Sequence, residues 1–145
     1  MTDSVEEKGS DTRPTVFIVE SNSLRDERRQ YREGEILSQV LRMMGKGAEY
    51  RYIRTSKELG AMAQEFRKSR FRYLHMACHG AYDGFGLPLD TVPFTDCARI
   101  VGPVIENRRL FLSACSFAQP GLARAVFHSY RRRERPSQST DVAFA

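Results

Sequence analysis

Two short motifs in this 145-residue chain contain residues that could do chemistry: His79-Gly80, closing one apolar run, and Cys115, between the small residues Ser113-Ala114 and Ser116, closing another. Only the thiolate of a cysteine is a strong nucleophile, and at neutral pH a thiol is mostly protonated. A catalytic cysteine therefore needs a nearby base or cation and a route to solvent. An imidazole meets that need by taking the thiol proton and later returning it to the leaving amine, once the two groups come within about 3 Å. Gly80, having no side chain, admits a substrate carbonyl close to the backbone, so its N–H and that of Cys115 make a candidate oxyanion hole. An isolated cysteine at a strand end is more often a small buried residue than a nucleophile. The paired placement of the two motifs raises catalysis to equal standing with that packing role.

The elements that must position these residues are legible from apolar periodicity. Thr15-Val-Phe-Ile-Val19 is β-branched and apolar on both faces, as a central parallel strand is. From Leu24 to Met44 apolar residues recur at helical spacing, with Gly34 predicting a kink or break. Tyr50–Ile53 predicts a second strand. Thr55 with Glu58 is a capping-box pattern that opens a helix whose apolar stripe is Leu59, Met62, Ala63 and Phe66. Phe71–Cys78 and Arg109–Ala114 predict the third and fourth strands. A Gly- and Pro-containing loop lies between them, with Thr95 expected to cap a short helix reaching Val101. After Pro120-Gly121 a final helix is expected over Leu122, Ala125, Val126 and Tyr130. Strands alternating with helices predict a parallel α/β sheet with right-handed crossovers, in the order second, first, third, fourth. In such sheets ligands bind beyond the carboxyl ends of the strands, where successive connections leave for opposite faces, and both motifs are expected there, immediately after their strands.

Other polar residues have plainer readings. His75 is expected to form structural hydrogen bonds, and Cys78, on the opposite face, to lie in the core. That alternation argues against a metal site built from His75, Cys78, His79 and Cys115, and no metal or organic cofactor is expected. Asp83 reads as a turn residue, with orientation of His79 or recognition of a basic substrate side chain as its functional alternative. Asp96 reads as a first-turn helix acid. Ser113 and Ser116 flank the cysteine without a base of their own. The Arg131–Arg135 cluster reads as a solvated end, available to an acidic partner surface.

The composition bounds the rest. At 41% hydrophobic the chain can bury one core. We divide it into a disordered polar lead over 1–14, a domain over 15–130 and a polar basic tail over 131–145. The formal charge of +5 has no nucleic-acid-binding motif beside it, so nucleic acid is not an expected partner. Three cysteines without disulfide-framework spacing suit a reducing cytoplasm, and neither an export signal nor a membrane span is legible.

Tyr73-Leu-His-Met-Ala-Cys-His-Gly80 followed by Leu110-Phe-Leu-Ser-Ala-Cys115 resembles the CHAT domain, a caspase-like cysteine peptidase family related in fold to caspases, separase and gingipains. The resemblance is strongest over 72–126 and holds only as a pattern before that. It implies a three-layer α/β/α sandwich with a mostly parallel sheet. It also implies His79 as general base and acid, Cys115 as nucleophile and Gly80 as an oxyanion donor. The implied substrate is a peptide bond in a protein or peptide, with a regulatory protein partner and a role in bacterial signalling or defence. Where the family continues into further strands, this chain turns at His128 into a tail with no strand-like run, so the fold is expected to be truncated with an exposed sheet edge. That tail favours a rival reading, a non-catalytic interaction or signalling module.

Overall fold

A computed structural model describes residues 13–81, 83–114, 124–125 and 141–144. The first strand, β1 (Arg13–Ser21), carries Phe17, Ile18 and Val19 fully or almost fully buried, as its apolar composition on both faces requires of a central strand. β1 already includes Arg13 and Pro14, so the expected disordered lead is corrected there; its residues 1–12 lie outside the described residues.

The single helix expected over 24–44 is two helices, α1 (Leu24–Arg28) and α2 (Glu33–Met43). The break falls before Gly34, at Gln30, whose φ of 56° turns the chain out of the helix. Gly34 instead sits in the first turn of α2, pressed against β1. A Cβ there would lie 2.9 Å from Ile18 Cγ2, and the Gly34 N–H donates to the buried Glu20 Oε1 at 3.1 Å. The absent side chain thus permits close approach, and a strand carboxylate satisfies an N–H of the first turn.

β2 (Ala48–Tyr52) pairs with β1, and α3 (Ser56–Lys68) follows with the reciprocal Thr55–Glu58 capping box in place. β3 (Phe71–Gly80) pairs in parallel with β1 and with β6 (Arg109–Ala114), so the four strands expected from the sequence stand in the order second, first, third, fourth. The expected loop between the last two contains an antiparallel hairpin, β4 (Gly84–Gly86) and β5 (Thr91–Pro93), then α4 (Phe94–Val101). Thr95 does not cap α4: Pro93 is the N-cap residue, without a side-chain bond, and the Phe94 N–H is instead taken by the Asp83 carbonyl at 2.9 Å. Asp96 is the first-turn acid expected of it.

The tail is also corrected. β7 (Asp141–Phe144) pairs in parallel with β6, giving that strand a partner on the edge expected to be open. The result is an α/β fold whose seven described strands form one mixed sheet. α3 and α4 close one face through Leu59, Ala63, Phe66, Cys97, Ala98 and Val101 against Phe17, Val19, Leu74 and Met76. α2 lies on the other. Of the expected final helix, Arg124 and Ala125 are described; both are helical, and Ala125 packs on the core.

Candidate functional site

The connection from β1 to β2 runs over one face of the sheet, and those entering and leaving β3 run over the other. The direction therefore switches between β1 and β3, which opens a crevice at their carboxyl ends. At that edge Ser21, Cys78 and Ala114 are register partners across β1, β3 and β6. His79 follows Cys78 and is exposed. Cys115 follows Ala114 in the sequence; it lies outside the described residues, as do Ser116 and the Arg131–Arg135 cluster.

His79 and Gly80 do not follow the third strand as expected; they are its last two residues. Past Cys78, β3 leaves the parallel ladder and pairs antiparallel with β4, His79 opposite Gly86 and Gly80 opposite Phe85. Hydrogen-bonded and non-hydrogen-bonded pairs alternate in such a ladder. Because the Ala81 N–H donates to the Gly84 carbonyl at 2.8 Å, Gly80–Phe85 is the non-bonded pair, and the Gly80 N–H is directed away from β4. That donor is free of the hairpin, as an oxyanion donor must be. The hairpin depends on Gly84, where a Cβ would fall 2.2 Å from the Val92 carbonyl oxygen; one on Gly86 would sit in ordinary contact, 3.8 Å from His79 Cδ2.

Below this edge, the face shared with α2 mixes polar and apolar side chains. Glu20, Ala77 and Ser113 form one register row, and Ile18, His75 and Phe111 the next. The buried Glu20 carboxylate accepts from the Tyr50 hydroxyl at 2.7 Å as well as from Gly34. Burial first, and then that bond, push the Tyr50 phenol well above its ordinary range. Ser113 Oγ donates to Glu33 Oε1 at 3.1 Å, joining the start of α2 to β6 two positions before Cys115. His75 stacks on Phe111, with ring centroids 6.4 Å apart. The buried Nε2 has no hydrogen-bond partner among the described residues, so the structural hydrogen bonding expected of the ring is not seen at that atom. The Glu20–Tyr50 and Glu33–Ser113 contacts were not legible, because they join residues on four separate elements, β1, β2, α2 and β6.

The two described thiols differ in kind from a nucleophile. Cys78 and Cys97 are free and buried in the core. Burial raises both, Cys78 far above the ordinary thiol range and Cys97 to about 12. Cys78 lies in the core cluster while His75 stacks on Phe111, and among the described residues no three His, Cys, Asp or Glu side chains converge on a metal position. Asp83 is exposed at a bend, and its backbone carbonyl holds the start of α4. No described helix is long and apolar enough to cross a membrane. The chain matches no protein-family model, and no curated protein matches it.

Proposed function

We propose that the chain is a caspase-like cysteine endopeptidase of the CHAT type, a three-layer α/β/α sandwich acting in the cytoplasm on a protein or peptide substrate. The observation that carries this reading is the pairing of Cys78 with Ala114 at the carboxyl ends of adjacent parallel strands, because the histidine and cysteine motifs continue from those paired positions. The exposure of His79 and the Gly80 N–H turned away from β4 support it. In this mechanism His79 takes the Cys115 thiol proton, and the thiolate adds to the scissile carbonyl. The amides of Gly80 and Cys115 receive the negative oxygen. The C–N bond breaks as His79 protonates the leaving amine, and water then hydrolyses the thioester. Residues of the chain carry every step, without metal or organic cofactor. A role in bacterial signalling or defence, under a regulatory protein partner, follows from the same resemblance.

Incubation with a peptide library, beside Cys115→Ala and His79→Ala, tests the reading: cleavage is expected from the wild type and from neither variant. A second reading, a non-catalytic interaction module, is favoured by the apolar residues that α2 and its C-cap leave in solvent, Ile36, Val40, Met43 and Met44. A folded wild-type chain that cleaves nothing supports that module instead.

A further inference from the structure

We propose that Asp90 is a positioning residue for the His79 base, tying the far end of the β4–β5 hairpin to the start of α3 and so fixing the strand pairing that holds His79 opposite Gly86. The inference rests on the dyad reading above.

Beyond Cys78, the strand that β3 pairs with is β4, and both β4 and β5 have only three residues. So short a ladder is marginal by itself, and its register depends on its anchors. One anchor is apolar: Phe85 and Val92 are buried, with Phe85 edge-on to Phe94 at 5.4 Å. The other is Asp90. Its Oδ1 accepts from the Thr91 N–H at 2.7 Å, and its Oδ2 accepts from the Ser56 N–H at 3.0 Å and from the Ser56 hydroxyl. Beside it the Leu89 N–H donates to the Arg54 carbonyl at 3.1 Å, and the Leu87 N–H to the Asp90 carbonyl at 2.8 Å.

Ser56 is the first residue of α3, where backbone N–H groups lack helical partners. The capping box serves Thr55 and Glu58, and Asp90 serves Ser56 from across the fold. A loose hairpin end lets the β4 register wander, and His79 moves with it. In catalysis a misplacement of about 1 Å can cost on the order of a hundredfold in rate.

Ser56→Pro removes both Asp90 bonds to α3, leaving the Leu89–Arg54 backbone bond, without altering the hairpin or the site. Proline suits the first helical position, and Thr55, at φ −137° and ψ 157°, already has the extended backbone favoured before proline. The measurement is the pH dependence of Cys115 alkylation by iodoacetamide, read by mass spectrometry, in wild type, Ser56→Pro, Asp90→Ala, Asp90→Asn and His79→Ala, each checked for folding by thermal melting. Ser56→Pro and Asp90→Ala are expected to move the rise in reactivity to higher pH and to slow alkylation at neutral pH roughly tenfold. Asp90→Asn, which keeps an acceptor oxygen, is expected to retain most of the wild-type profile. An unchanged profile in folded Ser56→Pro overturns the positioning role while leaving the dyad standing. A wild-type profile identical to that of His79→Ala overturns the dyad and this inference with it.

Discussion

At the scale of single residues, His75 shows what the sheet face shared with α2 demands. Its ring lies against Phe111 with Nε2 buried, and burial holds the imidazole below its ordinary value, with the charges of Glu33 and Glu20 pulling the other way. The unfolded chain takes up a proton near pH ~6.5, before the folded one does. Between the two values the unfolded state binds more protons, so His75 costs stability as pH falls below about 6.5. His75→Phe removes that cost and keeps a ring against Phe111. Its melting temperature should fall less between about pH 7.5 and pH 5.5 than that of the wild type; equal falls would contradict the account. Sequence alternation assigned His75 and Cys78 to opposite faces. It could not show that Nε2 of His75 lies without a partner among the described residues, because that depends on how far α2 covers the sheet.

At the scale of elements, the helices are held at their ends by residues distant in sequence. The Arg108 guanidinium closes the carboxyl end of α3, donating to the carbonyls of Phe66, Arg67 and Ser69 while lying 4.5 Å over the Phe66 ring. These are carbonyls of the last turn and its cap, where intrahelical donors run out, although Phe66 also accepts from the Ser69 N–H and hydroxyl; a cation there also favours the helix dipole. Arg108→Ala should cost about 1.5–3 kcal/mol, the range for hydrogen bonds to a charged group. A urea midpoint unchanged by the substitution would show that water replaces the arginine without loss. The capping box of α3 was readable because its partners are three residues apart, whereas the Arg108 cap was not, because it joins positions far apart in the chain. The β4–β5 hairpin was hidden for another reason. Its strands are three residues long and bounded by Gly84, Gly86 and Pro93, a composition shared with irregular loops.

For the whole molecule, the β-branched and aromatic composition of four runs was enough to read the parallel strands β2, β1, β3 and β6 and their order. Asp141–Phe144 escaped because it is brief and follows a polar stretch, and it forms a strand as the parallel partner of β6. The histidine half of the candidate site was legible to within one strand end, since the bend that carries His79 and Gly80 into the hairpin depends on β4. The proposed catalysis in this molecule depends on His79 activating Cys115. Because Cys78 and Cys97 are buried with suppressed thiolates, they are internal controls in the same molecule. The direct measurement is the initial rate at which iodoacetamide labels each cysteine of the native chain at neutral pH, with and without His79→Ala. Cys115 is expected to react at least about tenfold faster than a free, unperturbed thiol of low thiolate content, and to lose that advantage in the variant. A Cys115 no faster than Cys78 or Cys97, or equally fast without His79, would contradict the dyad.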